Sequence, residues 1–157
     1  MKAAWIVNTV IGKMTLVEAD GMLVASNFGE YIPQDAQLVK TPFLAQAISE
    51  LEQYFAGERE QFTVALAPKG TAFQRSCWEA LTQIPYGETR SYLEQAIAVG
   101  NPKACRAVGM ANNRNPLPVF IPCHRVIGKN GKLVGYGGGI DIKKILLESE
   151  KTRKDKI

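Results

Sequence analysis

A chain of 157 residues with 46% apolar content is long enough for one or two small cores, and its net charge is +4. It holds no membrane-length apolar run and no charged-then-apolar leader, so neither a membrane span nor a signal peptide is expected. Three scattered cysteines (Cys77, Cys105, Cys123) and one histidine make no CxxC or zinc constellation, so no metal is expected, and free thiols fit a reducing, cytoplasmic compartment.

Residues 1–30 alternate apolar and polar around Asp20-Gly21, with Met14, Leu16 and Glu18 before it and Met22, Val24 and Ser26 after it. That pattern predicts a β-hairpin. Thr41-Pro42 opens a helix as N-cap and first-turn proline, and Leu44, Ala47, Ile48, Leu51, Tyr54 and Phe55 follow at helical spacing to a stop at Gly57. Gln61 to Ala67 reads as a further strand. Nothing in this half assembles a chemical constellation, and its expected role is scaffold. Pro68-Lys69-Gly70 then marks a boundary between a domain of residues 1–68 and one of residues 71–157.

Charge divides at the same place. Residues 1–70 hold five Lys/Arg against eight Asp/Glu, a net of −3, and residues 71–157 hold fourteen against seven, a net of +7. A basic second half suits a polyanionic partner, although charge alone equally fits a solvated basic surface.

In that half Thr71 caps a helix with Phe73, Cys77, Ala80 and Leu81 on one face, leaving Trp78 off the stripe. Ser91 caps a second helix with Leu93, Ala96 and Ile97 inward, which Gly100 ends. Asn101 and Pro102 begin a third, running to about Asn113. Two short helices across a glycine turn form a helix-turn-helix or an ordinary αα-hairpin. The later one carries Lys103 and Arg106 among small residues (Ala104, Ala107, Gly109, Ala111) that permit close approach to a partner.

Asn115 to Ile127 follows, with Leu117, Val119, Phe120 and Ile121 read as a short buried strand between prolines. It ends in Cys123, His124 and Arg125. A cysteine beside the sole imidazole is a candidate activated nucleophile, although such a pair taken alone is more often a packed thiol. Lys129-Asn130-Gly131 is a turn, Tyr136-Gly137-Gly138-Gly139 a flexible run, and Asp141 caps a last helix with Ile142, Ile145, Leu146 and Ser149 on one side.

Pro122-Cys123-His124-Arg125-Val126 resembles the reactive signature of the O6-alkylguanine-DNA alkyltransferases. Gly100-Asn101-Pro102-Lys103, Arg106-Ala107-Val108-Gly109, Asn115-Pro116, Tyr136, Gly138-Gly139, Lys143 and Glu150 match further motifs of that family in order, over roughly residues 71–150. The resemblance implies an α+β chain: a small ribonuclease-H-like domain followed by a winged-helix domain containing the helix-turn-helix. It implies no cofactor and a stand-alone monomer, cytoplasmic and nucleoid-associated in a prokaryote. Its partner would be double-stranded DNA bearing O6-alkylguanine, entered from the minor groove.

The implied chemistry is irreversible, single-turnover transfer of the alkyl group to Cys123, activated through water by His124, with Glu150 orienting the imidazole. Tyr92 would donate to the base and a backbone amide near Gly137 to O6, carbonyls at Cys123 and Val126 would select guanine, and Asn115 would brace the reactive turn. Pro118 and Tyr136 would wall the pocket, and Lys143 belongs to the same catalytic set. Arg106 would fill the stack left by the flipped base. Lys103, Ala104, Ala107, Gly109, Arg114 and Arg125 complete the implied DNA contacts. Three positions depart from the family pattern: Cys105 stands where a small residue is usual, Gly137 replaces a small polar residue, and Asn112 replaces an apolar residue on the implied DNA surface.

Overall fold

The alternating N-terminal residues and the glycine-containing turns between them build a four-stranded sheet in the order β3-β2-β1-β4. The computed structural model describes residues 1–133, 136 and 138–155. β1 (Lys2–Thr9), β2 (Gly12–Ala19) and β3 (Met22–Phe28) form an antiparallel meander, and β4 (Ala36–Leu38) lies parallel to β1. The expected hairpin at Asp20-Gly21 is present, with both residues at positive φ (53° and 75°) as a tight two-residue turn requires. A second hairpin at Thr9–Gly12 escaped the pattern, because its tip is the apolar pair Val10-Ile11 and Val10 is exposed. Thr9 Oγ1 closes that turn onto the Gly12 carbonyl at 2.7 Å.

α1 (Pro42–Phe55) begins as its sequence dictates, with Thr41 Oγ1 accepting from the Leu44 N–H and proline in the first turn. Its apolar stripe of Leu44, Ala47, Ile48, Leu51 and Tyr54 is buried with Ala4, Met14, Leu16 and Leu23 of the sheet. The stretch 61–67 makes only a single bridge, between Leu66 and Leu23, instead of a strand. The cause is Glu50 on α1, whose buried carboxylate takes the N–H groups of Thr63 (2.7 Å) and Val64 (3.4 Å) that a ladder would have used.

Residues 70–157 form a second compact unit. α2 (Ala72–Thr82) and α3 (Tyr92–Ala98) each start in a capping box, Thr71 with Gln74 and Ser91 with Glu94. α4 (Cys105–Asn113) starts three residues later than its sequence suggests. Ala104 N–H bonds the Asn101 carbonyl at 3.0 Å, so Pro102 and Lys103 sit in a turn before the helix. β5 (Arg90–Ser91) pairs in parallel with β6 (Val126–Ile127), and α5 (Ile140–Asp155) closes the unit. No helix among the described residues is long and apolar enough to cross a membrane.

Helix faces differ from the predicted stripes in three places. On α2 the buried residues are Cys77, Trp78 and Leu81, while Phe73 is exposed. The indole decides this: Trp78 Nε1 donates to the Ala111 carbonyl at 2.8 Å, joining α2 to α4, and its ring lies so near Gly70 that a Cβ there would sit 2.5 Å from it. On α3 the inward residues are Gln95 and Ala96, with Leu93 and Ile97 about half exposed. On α5 the buried face is Lys143, Leu146 and Glu150, while Ile145 points outward.

Candidate active site

The reactive segment is buried, yet it is no strand. Pro118 bridges Ile121 within a tight reversal, and Val119, a β-branched residue 1% exposed, is held at φ +75°, a costly conformation that only surrounding structure can enforce. Asn115 supplies part of that enforcement. Its Nδ2 donates to the Ile121 carbonyl at 2.9 Å, and its Oδ1 accepts from the Leu117 N–H at 2.9 Å.

Beyond Pro122 the chain makes one 3₁₀ turn, Cys123–Arg125. Three residues per turn send consecutive side chains in different directions, so Cys123 and His124 do not face each other directly. His124 is fully buried, and its Nε2 lies 2.6 Å from Glu150 Oε2. Glu150 also accepts from Arg125 Nε at 2.8 Å, from the second guanidinium nitrogen at 3.0 Å, and from the Gly87 N–H at 3.2 Å. Arg125 is completed by a bond from its remaining nitrogen to the Ile84 carbonyl at 2.7 Å, and its guanidinium lies 5.7 Å from the Tyr86 ring centre.

This cluster sets its own protonation. Burial works to raise the Glu150 carboxyl, but hydrogen bonds and charge from His124 and Arg125 outweigh it and hold the group well below the usual carboxylate range. Burial pushes the His124 imidazole down, and the Arg125 and Lys143 charges reinforce that against the pull of Glu150. The consistent state is an ionised Glu150 balanced by Arg125 and a neutral His124 donating through Nε2. His124 Nδ1 is then a lone-pair acceptor, buried and without a hydrogen-bond partner among the described residues.

Around Cys123, 7% exposed, burial raises the thiol, while a hydrogen bond from the Asn115 side chain and the nearby Lys143 charge act to lower it. Burial lowers fully buried Lys143, and the Cys123 thiolate would raise it. Tyr92 and Tyr136 are both raised, first by burial and then by a negative charge at Cys123, so each hydroxyl keeps its proton. Cys123, Asn115, Tyr92, Tyr136 and Lys143 therefore share one electrostatic neighbourhood, with Pro118 and Val126 buried in the same segment. Gly137 lies outside the described residues.

The residues grouped for DNA divide. Lys103, Arg106, Ala107, Met110, Asn113 and Arg114 are exposed and, from 103 on, recur at helical spacing along one face of α4 and the turn before it. Met110 and Asn113, which were not among the expected contacts, share that exposed face. Ala104 packs on the cluster of Cys77, Ala96, Val108 and Ala111, and a Cβ on Gly109 would lie 3.6 Å from the Tyr92 ring. The close approach these two permit is therefore to α3, inside the unit. Arg125 is a correction: 7% exposed and bound to Glu150 and Ile84, it is not available to a phosphate. Asn112 is another, being 7% exposed inside the helix-turn-helix instead of on its surface.

Residues 72–152 match the model of the 6-O-methylguanine DNA methyltransferase DNA binding domain, and residues 5–68 that of the 6-O-methylguanine DNA methyltransferase ribonuclease-like domain. The chain is 59% identical over 116 residues, 74% of each protein, to a methylated-DNA--protein-cysteine methyltransferase of Methanosarcina acetivorans. It is 47% identical over 150 residues to a methylated-DNA--protein-cysteine methyltransferase of Mycobacterium bovis, covering 94% of this chain and 91% of that one. Among solved structures it is similar to Mycobacterium tuberculosis OGT in complex with DNA, with a TM-score of 0.90 at 45% identity over 96% of this chain and 94% of that one.

Proposed function

Because the chain belongs to the 6-O-methylguanine DNA methyltransferase family, an α+β methylated-DNA--protein-cysteine methyltransferase acting on DNA, we propose that its acceptor is Cys123 and its substrate O6-alkylguanine in double-stranded DNA. In this reading the protein acts once, as a cytoplasmic monomer without cofactor, divided into a scaffold of residues 1–68 and a reactive domain of residues 71–157. The observation that carries it is the buried His124–Glu150–Arg125 cluster, which leaves an imidazole lone pair beside the thiol's segment.

The Cys123 proton passes through a bridging water to His124 Nδ1, and the imidazolium formed is stabilised by Glu150. The Lys143 charge favours the thiolate. Sulfur attacks the alkyl carbon, the S–C bond forms as the C–O6 bond breaks, and the electron pair leaves on guanine O6. Tyr92, still protonated, donates to the base. Carbonyls at Cys123 and Val126 accept from the exocyclic amine and so select guanine, while Pro118 and Tyr136 wall the pocket. The thioether has no route back.

A base inside a duplex cannot reach a thiol 7% exposed, so the nucleotide is flipped out. The exposed face of α4 enters the minor groove, Arg106 occupies the vacated stack, and Lys103, Ala107 and Arg114 lie along the same face.

Incubation with duplex DNA carrying O6-methylguanine, followed by intact-mass measurement, tests the reading. One methylene should be gained per molecule, on Cys123, and none by Cys123→Ala. Tight binding with unchanged mass would overturn it in favour of lesion recognition without repair.

A further inference from the structure

The small-residue core that joins α2, α3 and α4 contains one polar pair. Gln95 on α3 is 2% exposed and Asn112 on α4 is 7% exposed. Asn112 Nδ2 donates to Gln95 Oε1 at 2.7 Å, and Gln95 Nε2 donates back to Asn112 Oδ1 at 2.9 Å. Gln95 Nε2 also donates to the Cys77 carbonyl of α2 at 3.1 Å. Two amides thus tie three helices.

Apolar contacts between helices tolerate sliding, because dispersion is non-directional. A reciprocal amide pair in a dry interface does not: outside one register each amide is left unsatisfied. The setting here is strict, since both side chains are almost wholly buried and water offers them little alternative in another register.

What the pair holds is connected in both directions. The Asn112 carbonyl accepts the Asn115 N–H at 3.2 Å, and Asn115 in turn braces Leu117 and Ile121, whose carbonyl also accepts the Cys123 N–H at 2.8 Å. On the same two helices Tyr92 packs over Gly109, and Arg106 stands on the outer face of α4. We propose that Gln95 and Asn112 are positioning residues that hold α4 in register with the reactive segment, so that the helix engaging DNA delivers the extruded base to Cys123. The proposal rests on the alkyl-transfer reading and extends it to residues that touch neither DNA nor substrate.

The test compares wild type, Gln95→Leu, Asn112→Leu and the double variant against duplex O6-methylguanine and against free O6-benzylguanine base. Each single variant strands one buried amide and should melt several degrees lower. The double variant removes both amides at similar volume and should melt within about 2–4 °C of wild type. It should react with the free base at the wild-type rate and with the duplex roughly tenfold or more slowly, since a small misplacement of a positioned reactant is costly. A wild-type duplex rate in the double variant would overturn the proposal, leaving the pair as core filling.

Should the double variant fail to fold, Gln95→Asn/Asn112→Gln replaces it. That swap keeps the amide bonds but displaces their meeting point by a methylene, and the same loss on duplex alone is expected, with an unchanged duplex rate overturning. If wild type takes up alkyl from neither substrate, the alkyl-transfer reading fails instead. The register claim is then decided by duplex affinity, which the double variant should weaken and which, if unchanged, overturns it.

Discussion

Each unit of this chain holds a glutamate no more than 1% exposed. Glu50 in the N-terminal unit accepts from the Thr63 N–H at 2.7 Å, the Thr63 hydroxyl and Gln46 Nε2 at 2.8 Å. Glu150 in the C-terminal unit accepts from Arg125 and Gly87 and lies against the His124 imidazole. Both carboxyls are driven up by burial and brought back below the ordinary range by hydrogen bonds. Their ionisation is therefore alike and their use is not. The donors around Glu50, with the Arg59 guanidinium 4.0 Å away, only pin a loop to a helix, whereas Glu150 holds a group that can take a proton, next in sequence to a thiol. Burial of a charge marks a site for inspection, and the partner it holds says what the site does.

The sharpest break of that comparison is a pair of isosteric substitutions. Glu150→Gln should slow alkyl transfer on the order of 10²-fold or more, because the imidazole loses the carboxylate that stabilises its protonated form. The same change strands Arg125 and should cost about 3–5 kcal/mol of stability. Glu50→Gln should cost roughly 1–3 kcal/mol and leave the transfer rate unchanged. Denaturant midpoints and single-turnover rates check both, and a rate loss at Glu50 would dissolve the contrast.

Arg125→Met should leave Glu150 ionised with His124 as its main counter-charge, so the His124 titration should move up from its depressed position. As the chain has a single histidine, its imidazole proton resonances report this without assignment. An unmoved or falling titration would remove Arg125 from the account of His124 neutrality.

Acid should separate the two clusters as well. A histidine depressed in the fold contributes stability present above its ordinary value of 6.5 and lost as pH falls from there toward the folded value. The two glutamates contribute stability present above their ordinary 4.5 and lost only below it. Melting temperature should therefore decline in two stages on acidification, and His124→Gln should flatten the first stage alone.

The smallest effect expected lies on α3. Leu93→Lys should change stability by less than about 0.5 kcal/mol, since the residue is 51% exposed, where an inward reading of its helical stripe would demand a large loss.

The local chemistry of the chain was legible along its length. Thr41, Thr71 and Ser91 cap helices because their side chains answer N–H groups a few residues away, and Asp20-Gly21 turns because its φ angles require it. Cys123, His124 and Glu150 were identified from motifs, and their meeting depends on α5 returning Glu150 to the 3₁₀ turn. Less legible was anything decided by which neighbour a residue meets. Stretch 61–67 lost its ladder to Glu50, and Leu93, Phe73 and Ile145 lost their place inside to Gln95, Trp78 and Lys143. Arg125 and Asn112 were moved from an imagined surface to the interior.

Sequence alone pointed to the helix caps at Thr41, Thr71 and Ser91, the Asp20-Gly21 turn and Cys123 as the candidate nucleophile; the caps and the turn were readable because they depend on interactions within a few residues of chain. Tertiary structure alone decided which polar groups would be buried. A guanidinium or an amide can leave water only where distant segments supply every hydrogen bond at once, and no local pattern records that supply.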